Sequence, residues 1–144
     1  MRKLPRQLTV DELAELFEGR TRFVERLAEH EHPLEVAPQL IREVPESELV
    51  EALAAHPAIG THRLSDTSAR EQGPHDPALE TELAYLNQVY EEKFGFRFVV
   101  FVNRRAQREI LEVLRDRLQQ TREEELETAM NELVAIARDR WEQG

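Results

Sequence analysis

The stretch FRFVVFV at residues 96–102 decides the fold class. It is dense in aromatic and β-branched residues, and propensity alone makes it a strand. No second run of this kind exists in the chain. A lone strand has no neighbour to complete its hydrogen bonds. The stretch therefore predicts a short extended segment buried among helices. Its backbone amides are then left to bind something else.

Helical periodicity flanks the stretch on both sides. Before it, Ala78–Lys93 carries Leu79, Leu83, Leu86 and Tyr90 on one stripe, and Gly95 reads as the stop. After it, Asn103 is expected to cap a helix from Arg104 to Gln119, with Ile110, Leu111, Leu114 and Leu118 inward. Thr121-Arg-Glu-Glu124 is a capping box that opens a last helix to about Arg140, with Leu126, Met130, Leu133, Ile136 and Ala137 apolar. Nearer the start, Thr9-Val-Asp-Glu12 is another capping box, ahead of Leu13, Leu16 and Phe17, with Gly19 as an interruption. Thr21–His30 repeats the pattern with Phe23, Val24 and Leu27. Pro33 and Pro38 punctuate the residues after His30. Glu46–Ala55 is a short helix stopped before Pro57, because the residue preceding a proline avoids helical angles. Residues 56–77 form the least regular stretch, with three of the five histidines. Long irregular loops often carry function. The expectation is an all-α chain in which residues 1–144 form a compact single-domain helical bundle with one extended segment near 96–102.

Composition narrows the function. The chain has 144 residues, of which 29 are acidic and 19 basic, for a net charge of −10. That disfavours nucleic acid and anionic membranes, both of which need a basic surface. No apolar run approaches the ~20 residues of a membrane span, and no signal-peptide core is legible near the start. The expected location is the cytoplasm. With no cysteine, thiol catalysis, disulfides and cysteine-ligated metals are excluded. All but two of the basic residues, Lys3 and Lys93, are arginine. A carbonyl–imine mechanism, which needs a buried lysine, is poorly supported. Arginine's planar fork suits carboxylate recognition instead.

Three groups could carry chemistry. His56 ends an apolar helix face. It reads either as a cap whose charge suits the helix dipole or as a general acid/base at the mouth of the irregular loop. Ser68-Ala-Arg-Glu71 is a capping box in its own right, or it brings Glu71 and Gln72 to a polar ligand. Arg140 continues the apolar stripe of Leu133 and Ile136, whereas Arg138 points roughly 200° away, toward solvent. An inward arginine needs an anion or must snorkel out to water. The histidine spacings (His30, His32, His56, His62) match no zinc motif.

These residues assemble into a pattern that resembles the OHCU decarboxylase family. Its substrate is 2-oxo-4-hydroxy-4-carboxy-5-ureidoimidazoline, an intermediate of uric acid degradation. The resemblance rests on AAHPAIG at 54–60, SAREQ at 68–72, LNQVYEEKFGFRFVVFV at 86–102 and ELVAIARDRW at 132–141, together with LTVDELAELF at 8–17. It implies an all-α fold and a cofactor-free, metal-free decarboxylation to (S)-allantoin, with a homodimer as the expected assembly. The resemblance places the catalytic histidine at His56, with Glu71 beside it. Pro57, Ser68, Glu71 and Gln72 would line the site and hold the substrate. The backbone of Phe98, Val99, Val100, Phe101 and Val102 would contribute, and Arg140 would bind the small anionic substrate. Arg104 and Arg105 are further candidate anion contacts. Two rivals compete with this reading: a decarboxylase of another small carboxylated heterocycle, and a non-catalytic helical interaction module.

Overall fold

The computed structural model describes residues 8–56, 77–103 and 105–143. Those residues form seven helices, with no strand among them: α1 (Val10–Phe17), α2 (Arg22–Leu27), α3 (Pro33–Glu43), α4 (Glu46–Ala55), α5 (Pro77–Phe94), α6 (Gln107–Arg117) and α7 (Arg122–Gln143). The all-α expectation is met, and α7 is the spine. It packs against α1, α3 and α4, while α5 pairs with α6 and α2 fills the angle between α1, α3 and α4.

Local chemistry accounts for the helix starts. At α1 the Thr9 hydroxyl accepts from the Glu12 amide at 3.1 Å, and the Glu12 carboxylate accepts from the Thr9 amide at 3.0 Å. Thr121 and Glu124 repeat the box at α7, at 3.2 and 3.0 Å. Gly95 ends α5 at φ +79°, a conformation that glycine adopts without a Cβ clash.

Three expectations are corrected. Asn103 does not cap a helix beginning at Arg104. It sits at φ +46°, Ala106 is the N-cap residue, and α6 begins at Gln107. Pro33 and Pro38, read as punctuation after His30, both lie in one helix, α3. Pro33 occupies the first turn, where its missing N–H costs nothing. Pro38 lies inside and cannot donate to the carbonyl of Leu34, four residues back. Arg138 of α7 supplies that donor: its Nη2 reaches the Leu34 carbonyl oxygen at 2.8 Å. Arg138 is accordingly half-buried against α3 rather than turned to solvent. Arg138→Ala is expected to cost about 1–3 kcal/mol, the usual penalty for a stranded buried acceptor. In a Pro38→Ala background, where the helix supplies its own amide, most of that cost should vanish in urea melts. An equal cost in both backgrounds would contradict the pairing.

The extended segment earns its burial through aromatic packing. The Tyr90 ring of α5 stands 4.7 Å from Phe94, 5.1 Å from Phe98 and 5.9 Å from Phe96, mostly tilted or edge-on. Phe96, Phe98, Val99, Val100 and Val102 are all buried, and Phe101 is half-buried. Arg117 lies over the Phe98 ring at 4.6 Å and donates from Nη1 to the Val99 carbonyl at 2.7 Å. Its Nε donates to Glu125 Oε1 at 2.6 Å, and the Tyr90 hydroxyl donates to the same oxygen at 2.5 Å. Arg117 Nη2 also lies against this carboxylate, at an angle unsuited to a hydrogen bond, so its contribution is coulombic. Burial and the neighbouring carboxylate raise the Tyr90 pKa and keep the phenol protonated. A buried tyrosine–glutamate–arginine group thus fastens the segment to α5, α6 and α7.

Candidate active site

His56 is the residue immediately after α4. Its backbone has turned extended (φ −81°, ψ 137°), as befits a residue before proline. The residue is only 9% exposed, and Nδ1 is buried without a hydrogen-bond partner among the described residues. Such an atom is costly unless something else uses it. Among the described residues, three charged groups from three elements act on the imidazole: Arg140 of α7, Glu18 after α1, and Arg97 at the head of the extended segment. Burial lowers the His56 pKa most. Arg140 lowers it further, Glu18 opposes them, and Arg97 lowers it again, to about 4. The imidazole is therefore neutral at neutral pH.

This shift has a thermodynamic consequence. Between pH 6.5 and about 4 the unfolded chain protonates His56 while the folded chain does not. Stability from this group is complete above the unfolded value and is lost as pH falls through that window, amounting to about 3 kcal/mol. Urea midpoints of the wild type should fall more steeply with acid than those of His56→Asn across this range. Parallel curves would contradict a neutral, buried imidazole.

Arg140 lies on the inward face of α7, as its stripe position requires, and is 9% exposed. Its Nη1 donates to the Leu16 carbonyl at 3.0 Å and lies 3.3 Å from Glu18 Oε1. Glu18 is thus a counter-ion that the sequence reading did not anticipate. It sits at φ +60°, an uncommon angle for a non-glycine residue, which turns the chain directly after α1. The next residue, Gly19, lets that turn touch α4: a Cβ there would stand 2.8 Å from the Ala55 Cβ. The turn carrying Glu18 and the helix end carrying His56 are therefore in contact.

Segment 98–102 is only partly as expected. Among the described residues, no acceptor is found for the amides of Phe98, Val99, Val100 and Val102. The Phe101 amide is not available, since it donates to Glu132 Oε1 at 3.3 Å. Arg105 donates to the Phe101 and Val102 carbonyls, so it is engaged structurally with the segment. Pro57, Ser68, Glu71, Gln72 and Arg104 lie outside the described residues. Among the described residues no cluster of three metal-ligating side chains occurs, and no helix is long and apolar enough to cross a membrane.

Arg97, Glu18 and Asn87 escaped the sequence reading, which took Gly19 only as a helix interruption. Asn87 is 8% exposed, its Oδ1 has no partner, and it shares the buried face of α5 with Leu83, Tyr90 and Phe94. A polar residue on an otherwise apolar stripe was the available signal for it. Nothing local marked Arg97 or Glu18.

Comparison with known proteins places the chain clearly. The family model described as OHCU decarboxylase matches residues 2–142. A 2-oxo-4-hydroxy-4-carboxy-5-ureidoimidazoline decarboxylase of Halalkalicoccus jeotgali is 31% identical over 109 residues, which are 72% of this chain and 62% of that protein. The uric acid degradation bifunctional protein PucL of Bacillus subtilis is 34% identical over 97 residues, 63% of this chain but only 20% of that much longer protein. A crystal structure of OHCU decarboxylase in the presence of (S)-allantoin superposes with a TM-score of 0.76 at 24% identity, covering 92% of this chain and 96% of the other. That last likeness establishes the shared fold.

Proposed function

The chain belongs to the OHCU decarboxylase family, and from that premise we propose that it is a single-domain carboxy-lyase. The reaction converts 2-oxo-4-hydroxy-4-carboxy-5-ureidoimidazoline to (S)-allantoin, without a cofactor, in uric acid degradation. One observation carries the reading: a buried neutral imidazole, His56, feels the guanidinium of Arg140, a residue 84 positions away at the far end of the chain. The cytoplasm and a homodimeric assembly belong to the same reading, supported by the acidic composition and the family resemblance.

The chemistry fits a neutral imidazole. As CO2 leaves, the electron pair of the breaking C–C bond moves into the adjacent C=N of the imidazoline, whose nitrogen takes a proton from solvent. The remaining enol carries its proton on the 4-hydroxyl. His56, neutral at neutral pH, accepts that proton as the oxygen becomes a carbonyl. It then returns it to one face of the neighbouring ring carbon, which sets the stereochemistry. Atoms and charge balance with one proton consumed. Arg140 attracts the substrate carboxylate, and Glu18 fixes where the guanidinium stands. The amides of Phe98, Val99, Val100 and Val102, with that of Phe101 committed to Glu132, are the donors for the developing negative charge. Glu71 and Gln72 bind the ureido group, with Ser68 and Pro57 beside them.

The test adds the protein to urate already oxidised and ring-opened by the enzymes that precede this step. Circular dichroism then follows (S)-allantoin. Formation faster than the spontaneous reaction, with a single sign of ellipticity, is expected. No acceleration would refute the assignment.

A further inference from the structure

Arg97 is the second residue of the stretch that decides the fold, and its side chain runs backward to α4. Its Nη1 donates to two carbonyls at once, those of Ala54 at 3.1 Å and His56 at 2.5 Å. Both carbonyls belong to the C-terminal end of α4, where helical carbonyls lack intrahelical partners and a cation is favoured. The same residue directly precedes Phe98, the first of the four residues (Phe98, Val99, Val100 and Val102) whose amides have no acceptor among the described residues. One side chain therefore holds the backbone of the imidazole-bearing residue and the backbone of the candidate donor segment in fixed register. Its Nε is buried with no hydrogen-bond partner among the described residues, so the guanidinium is held in place at the expense of one donor.

We propose that Arg97 is a positioning residue, which sets the distance between the His56 imidazole and the backbone donors of Phe98–Val102. This inference rests on the decarboxylase reading above. Arg97 does not touch substrate; it acts through His56 and through the chain it begins. Its charge also contributes to keeping the imidazole neutral, together with Arg140 from α7 and against Glu18 from the turn after α1. The guanidinium gives two hydrogen bonds from a single nitrogen, so methionine, of similar length, removes both. Lysine keeps a donor for the same carbonyls.

The experiment compares Arg97→Met and Arg97→Lys in the full chain. For Arg97→Met, kcat should fall by roughly 10- to 100-fold with KM nearly unchanged, the mark of a misplaced reacting group rather than a lost contact. Arg97→Lys should recover most of that loss. NMR titration of the His56 imidazole, which needs no substrate, should move to higher pH in Arg97→Met. Wild-type kcat and wild-type imidazole titration in Arg97→Met would overturn the proposal. So would losses in kcat that merely follow the thermal transition, equal in both variants, with the titration unmoved. If the wild type itself failed to decarboxylate the substrate, the parent reading would fall. The imidazole titration would still decide whether Arg97 governs His56.

Discussion

His56→Asn should lose about 10²–10⁴ of the catalysed rate, the usual share of a positioned proton carrier. The substitution keeps a polar side chain of similar reach and removes the titrating ring. It should leave the fold intact, because Nδ1 makes no hydrogen bond whose loss could unfold anything. KM should change little, since the substrate carboxylate is assigned to Arg140 rather than to His56. Arg140→Ala should show the opposite split, with weaker binding as its main effect. Rates of (S)-allantoin formation measured over a range of substrate concentrations separate these outcomes. Normal turnover by His56→Asn would remove the imidazole from the mechanism, whatever else the site contains.

The largest expected effect on stability lies elsewhere. Glu125 is fully buried and Arg117 is 5% exposed. Glu125→Ala strands the guanidinium, and removing one partner of a buried pair costs about 3–5 kcal/mol. That is a large share of the stability of a domain this size. Replacing both partners by apolar residues of similar volume, Arg117→Met with Glu125→Leu, should cost less, because the desolvation of both charges is relieved together, and what cost is left comes from the Tyr90 hydroxyl and the Val99 carbonyl, which lose their partners. The double variant should nevertheless be a poor enzyme. It loses the hydrogen bond from Arg117 to the Val99 carbonyl and the guanidinium stacked on Phe98. Urea denaturation read beside turnover separates the two roles. A Glu125→Ala protein as stable as the wild type would show that the pair contributes little.

Sequence reading succeeded where the cause was local. Thr9 with Glu12, and Thr121 with Glu124, are three residues apart, and their boxes formed as read. The FRFVVFV run forms no strand, because a strand needs a neighbour and none occurs among the described residues. Arg140 was placed on the inward face by its stripe, and the structure buries it. The same stripe logic applied to Ile110, Leu114 and Arg117 would have exposed the second buried arginine.

The failures were contacts of long range. Nothing near Pro38 announces that Arg138, 100 positions later, repairs its missing donor. Nothing near Glu18 announces Arg140, and nothing near Arg97 announces the end of α4. Each depends on two elements distant in sequence arriving at one place, which is a property of packing rather than of any window of residues. The resemblance to a known family supplied His56 and Glu71, whose residue patterns alone also fitted plain helix caps.

The convergence of His56, Arg140 and the Phe98–Val102 backbone on a single ligand is tested most directly by a crystal structure of the protein with (S)-allantoin bound. The hydantoin ring should lie within hydrogen-bond distance of the His56 imidazole and of at least one amide of 98–102, with Glu71 and Gln72 on its ureido arm. Allantoin bound away from His56, or an imidazole and a guanidinium opening onto separate surfaces, would contradict it.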